Sequence, residues 1–169
     1  VILMQLEVAL RTRNLATAKS IAEELLKENP AQIESLRALA LVQEWTGDLL
    51  GAVATYHAII KQYPFDVVAS LKAIHIARHL VVSQVGNVVP FSDNQRITIA
   101  CVLMDGGYEE SGLEMLRAVK RSSNHYERAR LLEIDHLIKH SHYENALKLL
   151  DSELKRAPES DEYLARAAQ

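Results

Sequence analysis

Residues 47–64 read GDLLGAVATYHAIIKQYP, and this stretch decides the fold. The pair Gly47-Asp48 is a natural place for one helix to end and another to begin. Leu49, Ala52, Tyr56 and Ile60 then recur at the spacing of one helical face. Pro64 closes the segment, because proline cannot continue a helix.

The same pattern returns along the chain. Three of the four prolines, Pro30, Pro64 and Pro158, each follow an alanine by twelve residues: Ala18, Ala52 and Ala146. A fourth copy, DGGYEESGLEMLRAVKRSS (105–123), places Ser111 at the small position and Ser123 where the proline would stand. Three residues before the small one come Leu15, Leu49, Tyr108 and Tyr143. Four and eight after it come Ala22 and Leu26, Tyr56 and Ile60, Met115 and Val119, Leu150 and Leu154. Breaker pairs precede each copy: Arg13-Asn14, Gly47-Asp48, Gly106-Gly107 and Ser141-His142. Upstream lies another helical stretch whose best column is Leu6, Ala40, Ile99 and Ile134. Each unit therefore reads helix, tight turn, helix, proline, with the small residue placed for close helix approach.

The small residues are spaced by 34, 59 and 35 residues, so one unit is incomplete. Residues 66–83 form a helical stretch with Val68, Leu71, Ile74, Ile76 and Leu80 as its apolar face. QVGNVVPFSD (84–93) then holds Gly86, Asn87 and Pro90 and cannot supply the second helix. A helix of that length spans about 27 Å, and nine extended residues reach about 30 Å. The segment 84–92 can therefore walk back along its helix, with Val85, Val88, Val89 and Phe91 covering apolar surface. A movable flap over a groove is the alternative.

A period near 34, the helix pair and the small-residue and proline columns resemble tetratricopeptide repeats, in degenerate copies over most of the chain. Other helix-pair repeats of similar period, such as the Sel1-like kind, share much of this pattern. The resemblance implies an all-α, right-handed α-α superhelix of antiparallel helix pairs. Its units are about 1–31, 32–65, an incomplete 66–92, 93–124 and 125–158, with the start of a further helix at 159–169. It also implies a concave face, lined by each unit's first helix, that binds extended or helical segments of a partner protein. The family's groove positions fall on Glu34, Arg37, Leu41, Glu44 and Trp45 in the second unit. They fall on Ala69 and Ala73 in the incomplete third, and on Arg96, Ala100 and Leu103 in the fourth. Trp45, the single tryptophan, is either a binding anchor or a core residue closing its turn. Some tetratricopeptide proteins clamp a C-terminal carboxylate with paired Lys and Asn. Here Arg37 is followed by Leu41 and Arg96 by Ala100, so that clamp is absent.

Chemistry is sparse. His75 and His79 stand one turn apart, and His136, His140 and His142 cluster near a turn. An i, i+4 histidine pair can hold zinc, but no Glu follows His75 as a metalloprotease helix requires, and surface polarity is the reading adopted. Cys101 lies in the apolar run ITIACVLM, where it acts as a small hydrophobe. Gly106-Gly107 has no strand before it, so it implies no phosphate loop. Arg117, Lys120, Arg121, Arg128 and Arg130 are diluted by Glu114 and Glu127 into a solvated face. No catalytic residue, metal or cofactor is expected, and no enzyme.

The net charge of -3 offers no basic face for nucleic acid. No apolar run suits membrane insertion. A single cysteine excludes an internal disulfide and fits a reducing, cytoplasmic setting. The chain opens at Val1 inside an apolar segment, and SDEYLARAAQ (160–169) reads as a further first helix. Both features suggest a piece of a longer protein. Tyr163 and Leu164 are then expected to be exposed, so a structural segment that self-associates through its terminal helices is the second functional expectation. A secretion-type chaperone is another use of this architecture.

Overall fold

The computed structural model describes residues 2–83 and 91–168. Among them lie ten helices and no strand: α1 (Ile2–Arg11), α2 (Leu15–Glu28), α3 (Ile33–Thr46), α4 (Leu49–Gln62), α5 (Val67–Ser83), α6 (Asp93–Asp105), α7 (Glu109–Arg117), α8 (Tyr126–Lys139), α9 (Tyr143–Arg156) and α10 (Asp161–Ala167). Each helix packs against the next along the chain.

Four tight turns share one backbone conformation. Arg13 (φ 56°), Gly47 (81°), Gly107 (81°) and Ser141 (62°) are left-handed, and among the described residues no others have positive φ. The amides of these four donate to the carbonyls of Leu10, Glu44, Met104 and Ile138, three residues back, at 3.0–3.2 Å. In three of the turns the next amide (Asn14, Tyr108, His142) reaches five residues back at 2.8 Å, which completes a Schellman motif and satisfies carbonyls the helix leaves free. The residue after the left-handed one is the N-cap of the following helix, and the side chains of Asn14 and Asp48 accept from the Thr17 and Gly51 amides.

These turns correct the expected register by one residue in the fourth copy. The small residue follows the left-handed residue by five positions, which gives Ala18, Ala52, Gly112 and Ala146. The first, second and fourth are at most 4% exposed, and Gly112 is buried as well. Ser111 is only half-buried. The reason is that Gly107, not Gly106, takes the left-handed conformation. Gly106 serves a different purpose: a β-carbon there would stand 2.7 Å from Ile74 of α5, so it permits close helix approach. The column of the preceding helix becomes Leu6, Ala40, Ala100 and Ile134, all nearly inaccessible.

The second helices also end alike. Asn29, Tyr63 and Ala157, each kept out of the helical region by the proline that follows, have φ and ψ agreeing to within about 15°. Each donates to the carbonyl four residues back. α5 and α10 start at the same distance beyond these ends as α3 does, capped by Asp66 (accepting from the Ala69 amide) and Ser160 (accepting from the Tyr163 amide).

The unpaired helix α5 buries its alanines. Ala69, Ala73, Ile76 and Ala77 face the main core with Ile74 and Leu80 packed beside them, whereas Val68 and Leu71, expected on the same apolar face, are 63% and 64% exposed. α6 packs against both α4 and α5, and its start is set by a capping box between Ser92 and Gln95. Phe91 is buried in the same core. The rest of the expected spacer or flap, 84–90, lies outside the described residues. Tyr163 is fully buried against Leu131, Ile134 and Leu150, contrary to expectation, and Leu164 is 47% exposed.

The shared turn predicts opposite effects for two small substitutions. At Gly47 a methyl group meets open space, so Gly47→Ala brings only the left-handed strain and should cost about 1 kcal/mol. Ser141 already bears that strain. Ser141→Gly should gain about 0.5 kcal/mol after the entropy of the freer unfolded glycine is subtracted. Thermal unfolding of the two variants checks the signs, and a stabilised Gly47→Ala would refute the shared conformation.

Candidate partner-binding groove

Between α1 and α3 runs a groove of about 420 Å³, lined by Leu6, Leu10, Ala38, Leu41 and Trp45 with Glu7, Arg11 and Arg37 at its rim. Alignment on the turn residues Arg13 and Gly47 makes Glu7, Leu10 and Arg11 the counterparts of Leu41, Glu44 and Trp45. One face of two successive first helices thus builds the groove, and Trp45 stands 48% exposed within it.

The second-unit residues expected in the groove are unequal. Leu41 and Trp45 line it, and Arg37 forms its edge. Arg37 is also committed elsewhere, pairing with Asp66 at 2.7 Å. The carboxyl of Asp66 is held below its usual range, first by the Ala69 amide and then by Arg37. Glu44 accepts from the Tyr56 hydroxyl and from Lys72 Nζ at 2.8 Å. Burial and the nearby Glu44 carboxylate raise the Tyr56 pKa. These bonds tie α3 to α4 and α5. Glu34 is exposed in the first turn of α3.

The positions expected on the later helices do not extend the groove. Ala69 (2% exposed), Ala73 (0%), Ala100 (0%) and Leu103 (1%) are core residues, inaccessible to a partner. On α6 the cause is the one-residue register shift, which turns the expected positions by about 100° toward the core; Cys101 and Met104, both half-buried, are the counterparts of Leu41 and Glu44. Arg96 is half-buried in the first turn of α6, 3.9 Å from Asp93. On α5, matching the helix starts places Leu71, His75, Arg78 and His79 opposite Arg37, Leu41, Glu44 and Trp45, and all four are exposed. Arg78 lies over the Tyr108 ring at 4.5 Å. The contribution of α1 was missing from the sequence reading. The column Leu6, twelve before Ala18, carried the signal for it.

The Cys101 thiol is pushed up by burial, then by Asp105, which keeps it protonated and unreactive at neutral pH. No described helix is long and apolar enough to cross a membrane. Compared with protein-family models, curated proteins and solved structures, the chain matches none of them.

Proposed function

We propose that this chain is a degenerate tetratricopeptide-type stack, an open right-handed superhelix, that holds an apolar segment of a partner protein in the α1–α3 groove. The observation that carries the reading is the groove itself: an apolar floor with a half-exposed tryptophan and a charged rim. Apolar anchors surrounded by polar groups are what peptide grooves use for affinity and orientation. Arg37 acts mainly as a strut, fixed by Asp66, and leaves Trp45, Leu41 and Arg11 to meet the partner. The role is binding without catalysis, in a cytoplasmic setting, and involves neither nucleic acid nor membrane insertion.

Trp45 also reports occupancy, because it is the only tryptophan. Amphipathic helical peptides titrated against the chain should shift its emission to the blue, with affinities near micromolar, about -8 kcal/mol. Trp45→Ala combined with Arg11→Glu should weaken the best binder at least about tenfold, measured by calorimetry with helicity unchanged. Undiminished binding would move the site away from the groove.

Apolar faces at both ends favour a second role as a self-associating segment. Met4 and Val8 on α1 are 71% and 60% exposed, and Tyr143 and Leu147 on α9 are 58% and 59% exposed. Concentration-dependent mass in light scattering would support that role, and a strict monomer would exclude it.

A further inference from the structure

His136 and His140 stand one turn apart on α8 and converge on one carboxylate. Glu109, the first residue of α7, lies with Oε2 3.6 Å from His136 Nε2 and Oε1 3.4 Å from His140 Nδ1. The two rings are 4.3 Å apart between centroids. One ligand atom from each of the three residues can be chosen so that all lie within 4.8 Å of one another. As a ligand set the arrangement is well formed.

We propose that Glu109, His136 and His140 bind a late first-row divalent cation, with zinc the best fit, joining the start of α7 to the end of α8. Zinc bonds to imidazole nitrogen and carboxylate oxygen are about 2.0–2.2 Å, so neighbouring ligands of a tetrahedral site stand about 3.3–3.5 Å apart. The 3.4 Å between His140 Nδ1 and Glu109 Oε1 already matches that edge, and His136 Nε2 stands 3.6 Å from the other carboxylate oxygen. With all three ligand atoms within 4.8 Å of one another, small rotations of the more exposed Glu109 and His140 side chains bring them to the remaining edges. The donor set of two nitrogens and one oxygen selects against calcium and magnesium, which require more oxygen ligands. The side chains of His140 and Glu109 are 34% and 44% exposed, so an ion can enter and a water can take the fourth position. His136, at 8%, is the fixed anchor. The i, i+4 spacing was visible in the sequence. The carboxylate was not, because it arrives from the preceding pair.

The test uses the tag-free chain. Calorimetry with zinc should show one saturable site, and cobalt(II) should give the strong visible bands of tetrahedral coordination. At a hundredfold excess over Kd, zinc should raise Tm by roughly 5–10 °C. His140→Ala and Glu109→Gln, both at accessible positions, should each weaken binding at least about tenfold with helicity unchanged. If either variant loses structure the other decides, and zinc-induced shifts of the His136 and His140 ring resonances in the unaltered chain give an independent readout. His75→Ala with His79→Ala, which removes the exposed pair on α5, should leave binding intact. The proposal is overturned by no saturable binding below about 1 mM, by binding indifferent to both site variants, or by loss only in the α5 variant.

Discussion

Glu133→Ala is expected to destabilise the chain by about 3–5 kcal/mol and to lower Tm by roughly 10 °C or more. Glu133 is 4% exposed on α8. Its carboxylate lies 2.8 Å from Arg117 Nε, at the end of α7, and 2.8 Å from Arg130 Nη1. Arg130, itself 7% exposed, also donates to the Leu116 carbonyl. Removal of Glu133 therefore leaves a buried guanidinium without its counter-charge, and that penalty dominates. Arg117 loses the hydrogen bond that chiefly raises its pKa. The position matters because α7 spans nine residues where α2, α4 and α9 span fourteen. The ionic cluster occupies the junction that the shorter helix leaves with less apolar contact. Replacing both partners, Arg130→Met with Glu133→Leu, should recover most of the loss, since an apolar pair needs no counter-charge. Urea unfolding of the single and double variants measures both. A single-variant loss below about 1 kcal/mol would mean that water reaches Arg130.

Gly112→Ala should also destabilise, by about 2 kcal/mol, although the same change in an ordinary helix stabilises by up to about 1 kcal/mol. A β-carbon at Gly112 would stand 2.9 Å from the Ala100 carbonyl oxygen and closer still to the Met104 side chain. The carbonyl belongs to the helix backbone and cannot move alone, so α6 and α7 must part, an overpacking cost of about 1–3 kcal/mol. Alanine at the counterpart positions 18, 52 and 146 is accommodated, so α6 and α7 approach more closely than the other pairs. Equal or greater stability of Gly112→Ala by thermal unfolding would show that they do not.

Much of the fold was legible because small residues and prolines are placed by steric rules that a sequence displays directly. The Ala-to-Pro spacing located three second helices, and the 59-residue gap between small residues located the break after α5. The register slip at Gly106-Gly107 had a physical cause. Both glycines are helix breakers, and only tertiary contact shows that one admits Ile74 while the other turns left-handed. Arg13 and Ser141 hold the same left-handed conformation without glycine, which composition alone does not reveal. α5 misled at Val68 and Leu71 because VVASLKAIHIARHLVVS is apolar on more than one side; the close approach of neighbouring helices selects Ala69, Ala73 and Ala77 for burial beside Ile76. Half of the groove was readable from α3. The other half required recognising α1 as its counterpart, and the cluster of Glu109, His136 and His140 required the pairing of α7 with α8.

One repeated piece of geometry underlies the stack: a left-handed residue followed five positions later by the residue that faces the preceding helix. A crystal structure tests it most directly, by superposing residues 6–23, 40–57, 100–117 and 134–151. The expected result is one common backbone path, with Ala18, Ala52, Gly112 and Ala146 coinciding and Arg13, Gly47, Gly107 and Ser141 all at positive φ. Four divergent turns, or Ser111 facing α6 in place of Gly112, would contradict it.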